Sequence, residues 1–268
     1  MRDISVILTC HNDVPLYWEK IKSTFDKIDS MNEINFEVII STNSRNEFFN
    51  KVESENQGLY KVVYSEGGKD EFLEVKNGIE AAEGKYICFH DSDDFFFPGK
   101  LEKIKKIFDE DKEVVYIVNR AEGIKNKYFA MDFNLTSIST RKEILNPDYY
   151  GLINMMPDTL TYYSARNTGK KMLKLEEPLN FYHISDKSAS RRNRKEKFDK
   201  SIYSLNLMKK WFPSMEKELM GRLFEISLWA NDRVGLDSNF FHMWSCGYYP
   251  IRKKIEYSAV YMKRLIGV

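Results

Sequence analysis

Three aspartates lie within four residues of this sequence, at Asp91-Ser92-Asp93-Asp94. They follow an apolar run, Tyr86 to Phe89, and precede a helical pattern that begins at Pro98. Close carboxylates repel one another unless a cation or a ligand hydroxyl compensates, and open α/β sheets bind ligands at the carboxyl ends of their strands. Oxygen-rich clusters suit Mg²⁺ or Mn²⁺, which bind carboxylate and phosphate oxygens together. The cluster therefore predicts a site for a divalent metal and a phosphate-bearing ligand.

Two other structures place acids in such a stretch. One is an EF-hand calcium loop, which fails here because Phe95 and Phe96 stand where that loop needs an oxygen ligand and a glycine. The other is a turn that caps the following helix, with Asp94 near the helix N-terminus. The capping turn stays open as an alternative, above all for Asp94.

The elements around the cluster follow an alternating strand and helix pattern. Short runs rich in Val, Ile and aromatic residues predict strands over Ile4 to Thr9, Phe36 to Ile40, Tyr60 to Tyr64, Tyr86 to Phe89 and Val114 to Val118. Helical spacing lies between them, over Val14 to Ile28, over Glu71 to Ala82 with Gly84 at the helix end, and from Pro98, in the first turn, to Phe108. Near-continuous apolar strands are covered on both faces, so the pattern predicts an α/β protein with a mostly parallel sheet.

The pattern of the second half is mixed and then helical. We predict an extended run from Tyr128 to Ile138, a helix from Pro157 to Asn167 that stops at Gly169, and a strand near Leu179 to His183. Beyond Ser190 the chain is predicted to be wholly helical.

The sequence resembles the family 2 glycosyltransferases of the GT-A fold. The resemblance is carried by five segments in a fixed order, Ile4 to Thr9, Glu37 to Ile40, Lys76 to Ile87, Asp91 to Asp94 and Pro98 to Leu101. The resemblance is continuous to about residue 105 and looser to about residue 190. It implies a Rossmann-like, mostly parallel sheet sandwiched by helices, and transfer with inversion at the anomeric carbon. It also implies a nucleoside-diphosphate sugar donor, with UDP favoured over GDP, and Mn²⁺ or Mg²⁺.

The resemblance also implies a division into domains. A catalytic domain is expected over residues 1–190, with a nucleotide-sugar-binding half over 1–120 and an acceptor half over 121–190. A helical extension is expected over residues 191–268.

Individual roles come from the same resemblance. Asp93 matches the acid that binds the metal bridging the diphosphate, and His183 matches a third metal ligand or a diphosphate contact. Asp158 matches the general base that takes the proton of the acceptor hydroxyl. The implied donor-binding positions are Thr9, His11, Asn12, Asp13, Thr42, Asn43, Lys76, Asn77, Asp91 at the donor ribose, Ser92 and Arg191.

Local sequence leaves a plainer interpretation for several of these residues. Asp158 is also an acid favoured in a first helical turn by the helix dipole. A single His beside a strand, such as His183, is more often structural, and Arg191 with Arg192 is also typical of a solvated basic run. His11 and Asp13 equally fit caps of the following helix.

The sequence departs from the family pattern in two ways. Ser41-Thr42-Asn43-Ser44 stands where many members have paired aspartates that read the base, and these neutral groups make uracil a weaker assignment. Gln57 is the only glutamine, so the Gln-x-x-Arg-Trp motif of processive synthases is absent. Transfer of a single sugar to a glycan, glycolipid or lipid-linked acceptor is therefore favoured over polymer extrusion.

Composition and charge limit the class of protein. The 268 residues are 43% hydrophobic and 30% charged, which is typical of a globular protein. No apolar run is long enough to span a membrane and no signal peptide precedes the first strand. Three widely spaced cysteines indicate reduced thiols. We therefore expect a cytoplasmic protein, and localisation at the inner face of the membrane is the alternative.

The net charge of the whole chain is +1, but residues 1–120 carry a negative net charge and residues 121–268 carry a positive one. At the C-terminus Ile251, Ile255, Ser258 and Met262 follow helical spacing among lysines and arginines. Such a helix suits an anionic membrane surface or packs on the protein itself or on a second subunit. The basic residues are not interleaved with a base-stacking module, so nucleic acid is not an expected partner.

Two other functions compete with transfer. A non-catalytic relative that binds a partner glycosyltransferase is suggested by the missing aspartates at Thr42 and Asn43, and opposed by Asp91, Asp93 and Asp158. A nucleotidyltransferase is disfavoured because the first loop, Thr9 to Asn12, lacks a glycine-rich basic phosphate cradle.

Overall fold

The structure, a computed structural model, describes most of the chain in two compact units. The described residues are 2–10, 14–30, 34–54, 58–65, 71–123, 134–183, 194–230, 239–240, 243–245 and 250–265. The first unit comprises Met1–Leu152 and Pro157–Ser185, and the second comprises Ile153–Met156 and Asp186–Val268.

The first unit is built on a mixed, mostly parallel sheet. Its strands are β1 (Ile4–Cys10), β2 (Phe36–Thr42), β3 (Tyr60–Tyr64), β4 (Tyr86–Asp91), β5 (Phe95–Phe96), β6 (Val114–Glu122), β7 (Ile138–Arg141) and β8 (Lys171–Phe181). Their order is β3-β2-β1-β4-β7-β6-β8-β5. Strands β1 to β4 pair in parallel, and so do β6 and β8, whereas β7 is antiparallel to both of its neighbours and β5 is antiparallel to β8. The predicted α/β class with a mostly parallel sheet is confirmed.

Helices cover both faces of this sheet. They are α1 (Val14–Ser30), α2 (Glu47–Ser54), α3 (Glu71–Ala81), α4 (Lys100–Glu110), α5 (Pro147–Leu152) and α6 (Pro157–Asn167). Val6 and Leu8 of β1 belong to the same buried cluster as apolar residues of α1 and α4. Ile7 points to the other face, where Gly78 allows α3 to approach it closely. All seven residues of β1 are buried for this reason.

The second unit is helical. It contains α7 (Arg194–Trp211), α8 (Glu216–Ala230) and α9 (Ile251–Leu265), with a 3₁₀ turn at Pro213–Met215. Phe224, Leu228, Met243 and Tyr257 form its buried cluster. Among the helices in the described ranges, none combines the length and apolar character that crossing a bilayer requires.

Several predicted boundaries were wrong. Helix α4 begins at Lys100 with Gly99 as its N-cap, at φ 81°, so Pro98 precedes the first turn and Asp94 does not cap the helix. Part of the run predicted from Tyr128 to Ile138 lies outside the described residues, and Leu135–Ser137 is a 3₁₀ turn that leads into β7. Strand β8 begins at Lys171, eight residues before the predicted start at Leu179.

Gly84 is required by a close approach and does not end a helix. Helix α3 stops at Ala81, and a Cβ on Gly84 would lie 2.6 Å from the carbonyl carbon of Ile4 and 2.7 Å from Ser5 Oγ. The Gly84 N–H donates to Ser5 Oγ at 2.8 Å, and Ser5 Oγ donates to Glu37 Oε1 at 2.6 Å. This network holds the amino ends of β1, β2 and β4 together, at the sheet edge opposite the acidic cluster.

Candidate active site

The acidic cluster forms a turn at the carboxyl end of β4, next to β1. The parallel register sets Thr9 opposite Asp91, and Thr9 Oγ1 donates to Asp91 Oδ1 at 3.3 Å. The Asp94 N–H donates to the Asp91 carbonyl at 3.1 Å, which closes the turn. The chain then enters β5, which pairs with the end of β8. We call residues Asp91–Asp94 the acidic turn.

A 3₁₀ turn, Leu135–Ser137, supports the acidic turn from one side. Thr136 Oγ1 accepts the Asp91 N–H at 2.9 Å. The residue before the 3₁₀ turn, Asn134, donates its amide to Asp94 Oδ2 at 3.2 Å and accepts the Ser137 N–H at 2.9 Å. Asn134 and Thr136 were not predicted as site residues, because the sequence pattern around them indicated an extended run.

Asp94 connects the acidic turn to the end of β8. Its side chain is fully buried, and Oδ1 accepts the His183 N–H at 2.9 Å. Burial, together with the neighbouring charge of Asp93, raises the pKa of Asp94 well above its usual range. The ring of His183 lies edge-on to Tyr17 with 5.8 Å between centroids, and Nδ1 is buried with no hydrogen-bond partner among the described residues. His183 is thus held beside the acidic turn by its backbone, and its Nδ1 makes no hydrogen bond among the described residues.

A buried cation lies beneath the acidic turn. Lys100, the first residue of α4, is fully buried, and its Nζ donates to the Thr136 carbonyl at 2.5 Å. Nζ also lies 4.0 Å from the centroid of the Phe96 ring. Burial lowers the pKa of Lys100 to about 8, and the charge of Asp94 acts in the opposite direction. Lys100 therefore offsets part of the charge of Asp94.

Tyr182 relates the acidic turn to Asp158. Burial is the main cause that raises the pKa of the Tyr182 hydroxyl to about 12, and the negative charges of Asp94, Asp91, Asp93 and Asp158 add to it. The charges of Asp158 and of the acidic turn therefore both act on the Tyr182 hydroxyl. Sequence reasoning missed Tyr182, since one tyrosine among 16 carries no signal of its own.

Asp158 itself lies in the first turn of α6. Its Oδ1 accepts the Thr159 N–H at 2.7 Å, so Asp158 is a first-turn acid, and its role as a base stays a prediction. Asp158 is half-buried.

Polar groups also lie at the carboxyl ends of β2 and β3. Thr42 Oγ1 accepts the Ser44 N–H at 3.1 Å, and the Asn43 N–H donates to Glu74 Oε1 at 3.2 Å. Asn77 Nδ2 donates to Ser65 Oγ at 3.2 Å, directly after β3. Glu74 is fully buried and was not predicted, because an acid one helical turn before Asn77 resembles an ordinary surface residue.

The remaining predicted residues are divided among three situations. Lys76 belongs to α3, and its Nζ lies 3.6 Å from Glu80 Oε1 of the same helix and 3.8 Å from Asp148 Oδ1 of α5. The structure does not bring it to the acidic turn. Ser92 is buried within the turn. His11, Asn12, Asp13 and Arg191 lie outside the described residues.

Among the described residues, the side chains alone do not form a complete metal site. Within the described ranges, no three His, Cys, Asp or Glu side chains are close enough to enclose an ion. The oxygen donors of Asp91 and Asp93 nevertheless suit Mg²⁺ or Mn²⁺, which keep waters and complete their coordination with substrate phosphates.

Comparison with solved structures identifies the fold. The chain is similar to S. aureus TarS residues 1–349 in complex with UDP-GlcNAc, at 14% identity and a TM-score of 0.59, over 99% of this chain and 92% of that one. It is also similar to the mannosyltransferase PcManGT from Pyrobaculum calidifontis in complex with GDP-Man and Mn²⁺, at 13% identity and a TM-score of 0.61, over 97% and 81% of the two chains. Glucosyl-3-phosphoglycerate synthase from Mycobacterium tuberculosis matches 76% of this chain and 79% of its own, at 13% identity and a TM-score of 0.53.

Sequence comparison gives the family. No curated protein matches the chain. The family model described as Glycosyl transferase family 2 matches residues 5–172, which include β1, the acidic turn and Asp158. The expected GT-A fold is therefore confirmed, and the chain belongs to the family 2 glycosyltransferases.

Proposed function

We propose that this glycosyltransferase moves one sugar from a nucleoside-diphosphate sugar to a hydroxyl group of a glycan, glycolipid or lipid-linked acceptor, with inversion at the anomeric carbon. The observation that carries the proposal is the acidic turn, which brings three carboxyl groups to the carboxyl end of β4 and is held there by Thr9, Thr136 and Asn134. A group that binds the donor diphosphate and a group that accepts a proton must lie on two sides of one reacting centre. We propose that the acidic turn and Asp158 take these two places.

The acidic turn is the proposed donor site. Asp93 would hold Mn²⁺ or Mg²⁺ with the diphosphate oxygens, and His183 Nδ1 would contact the ion or a phosphate oxygen. When bound, the ion supplies positive charge that stabilises the leaving diphosphate. Asp91, oriented by the Thr9 hydroxyl, would accept a hydrogen bond from the ribose. The structures of TarS with UDP-GlcNAc and of PcManGT with GDP-Man and Mn²⁺ support a donor of this class.

Asp158 is the proposed general base. A carboxylate can accept the proton of the acceptor hydroxyl as that oxygen attacks the anomeric carbon. The leaving diphosphate departs from the opposite face of the sugar, and this single displacement inverts the anomeric configuration. No covalent glycosyl intermediate forms, because Asp158 holds a proton and never bonds to the sugar.

The TarS complex with UDP-GlcNAc supports UDP as the first donor to test. Thr42 ends β2 and Asn43 follows it, and their hydroxyl and amide groups can bond the edge of a pyrimidine in place of the paired aspartates of other family members. GDP remains the alternative, since the same groups can serve a purine.

The test is a thermal-shift panel with UDP, GDP, CMP and their common sugar conjugates, each with and without Mn²⁺. A ligand at 100 times its Kd adds about 2.7 kcal/mol to the free energy of unfolding. We expect a metal-dependent shift with one nucleotide in the wild type and its loss in Asp93→Asn. Glu110→Gln, which changes an exposed acid of α4 paired with Lys106, serves as the matched control.

Turnover is then followed as release of the nucleoside diphosphate from the donor that shifts the melting temperature. Loss of release in Asp93→Asn, with Glu110→Gln unchanged, supports the proposal. A folded wild type that binds none of the nucleotides would refute it in favour of a non-catalytic scaffold.

A further inference from the structure

We propose that α9 docks the protein on an anionic lipid bilayer, with Ile251, Ile255 and Met262 inserted between the head groups. We call these three residues the apolar stripe. The proposal concerns the second unit alone and does not depend on the transfer chemistry.

The apolar stripe lies on one side of α9. At about 100° per residue, its three side chains fall within an arc of about 40°. They are among the most exposed large hydrophobic residues in the described ranges, at 67% for Ile251, 57% for Ile255 and 52% for Met262. Aligned exposed apolar side chains on one helix mark an interaction surface, whereas scattered ones do not.

A different face of α9 holds the helix to its own unit. Tyr257 is buried, and its hydroxyl donates to Glu225 Oε1 of α8 at 2.7 Å. The ring of Tyr261 stacks on Phe240 with 4.7 Å between centroids and lies 6.0 Å from Phe224. The apolar stripe therefore contributes little to packing within the second unit.

The charge beside the apolar stripe favours an anionic surface. Helix α9 carries five basic residues and one acidic residue, Glu256. Arg252 and Lys263 are exposed and lie about 60 to 120° around the helix from the stripe. Basic residues attract anionic head groups, and a basic helix with apolar residues on one side is typical of a helix that lies in the bilayer interface. A second copy of α9 would bring the same positive charge and would be repelled.

An exposed tryptophan borders the stripe. Trp244 is 37% exposed, its Nε1 donates to Ser258 Oγ at 2.8 Å, and its carbonyl accepts Lys254 Nζ at 2.7 Å. Ser258 lies between Ile255 and Met262 on the helix surface. Tryptophan is enriched at the interface between bilayer and water, so a tryptophan beside the apolar stripe is what a helix lying in that interface would require.

The experiment is flotation of the full chain with vesicles of phosphatidylcholine alone or mixed equally with phosphatidylglycerol. We expect binding to the mixed vesicles that weakens as salt is added, because the attraction to the head groups is screened. The double variant Ile255→Ser/Met262→Ser should bind the mixed vesicles at least roughly tenfold more weakly than the wild type, since it removes the inserted apolar groups. Val260→Ser is the matched control, because Val260 is an exposed apolar residue on the side of α9 opposite Ile251.

A second measurement separates docking from misfolding and from self-association. Lipids brominated in their acyl chains should quench part of the tryptophan fluorescence, and Trp244→Phe should remove that part while the thermal melt stays unchanged. Equal binding by the wild type and by the double variant would overturn the proposal. A dimer in light scattering that the double variant dissociates would also overturn it, because a second copy would then cover the stripe.

Discussion

The carboxylate of Asp94 accepts the backbone N–H of His183 across 89 residues of sequence, at 2.9 Å. The same carboxylate accepts the Asn134 amide, so one buried acid connects the acidic turn, the 3₁₀ turn and the end of β8. Asp94 therefore acts as a positioning residue, and the proposed ligands Asp93 and His183 depend on it for their relative placement.

Replacement of Asp94 tests this positioning. Asp94→Asn keeps the shape of the side chain but replaces one acceptor oxygen with an amide NH₂ group. The asparagine side chain can therefore not accept hydrogen bonds from His183 and Asn134 through two separate oxygens. We expect kcat/KM for the donor to fall by about 10- to 100-fold, since small displacements of binding groups cost this much. Steady-state kinetics and the metal dependence of donor binding measure the change.

The control for Asp94 is Asp111→Asn. Asp111 is a more exposed acid that also accepts a backbone N–H, from Glu113, and it lies at the far end of α4. Its replacement should leave the metal dependence of donor binding unchanged. If Asp94→Asn binds the donor and metal as the wild type does and turns over at the same rate, Asp94 has no positioning role.

Asp158 is tested by a substitution that preserves its structural contact. Asp158→Asn still offers an oxygen to the Thr159 N–H, so the start of α6 should remain intact. Loss of a general base lowers kcat by about 100- to 10,000-fold, while donor affinity should not change. Turnover at saturating donor, together with donor binding by calorimetry, distinguishes the two effects.

A neighbouring first-turn acid provides the comparison for Asp158. Asp148 lies in the first turn of α5, and 80% of its side chain is exposed. Asp148→Asn should keep the activity of the wild type. An Asp158→Asn enzyme with normal kcat would leave Asp158 as a structural acid only.

The sequence predicted β1 and β3 well. Strand β1 extends only one residue beyond its predicted end, since a strand covered on both faces is a continuous apolar run, and the bounds of the edge strand β3 agree with the prediction. Strand β7 was missed because Ile138 is its only large apolar residue. Its place is set by antiparallel pairing with β4 and β6, which no local pattern reveals.

The site was predicted where chemistry is concentrated locally and missed where it depends on distant contacts. The acidic turn was predicted from local sequence, because three acids follow directly after a predicted strand. Asn134 lies 40 residues from its partner Asp94, and Lys100 resembles any lysine at a helix start until its burial is seen. The supporting groups of the site thus arise from tertiary structure, and residue type at a single position does not predict them.

Gly84 offers a test of the amino-terminal edge of the sheet. In Gly84→Ala the new methyl group would collide with the backbone of Ile4 and with Ser5 Oγ, and backbone atoms cannot move aside as side chains can. We expect the free energy of unfolding to fall by about 1 to 3 kcal/mol, measured by urea denaturation.

Gly151→Ala is the matched control for Gly84. A Cβ at Gly151 would meet only the flexible side chain of Lys76, at 3.0 Å from its Cδ, and alanine favours the helix α5. A Gly84→Ala protein as stable as Gly151→Ala would mean that β1 and β4 do not approach as closely as described.

His90 should make the stability of the protein depend on pH. The side chain is fully buried between Phe25 and Phe96, and its Nδ1–H donates to the Asp91 carbonyl at 2.7 Å. Burial is the main cause that lowers the pKa of His90 to about 3, from a reference value of 6.5. Between these two values the unfolded chain binds a proton that the folded protein excludes, so the free energy of unfolding falls as the pH falls.

The expected slope for this one group is up to about 1.4 kcal/mol per pH unit, or about 2 kcal/mol between pH 7 and pH 5. Urea denaturation of the wild type and of His90→Asn, across that range, isolates it from the titration of the carboxylates. The amide of the asparagine can occupy the place of Nδ1 and donate to the Asp91 carbonyl, but it does not titrate. Parallel pH profiles for the two proteins would show that His90 is solvated or already protonated in the folded state.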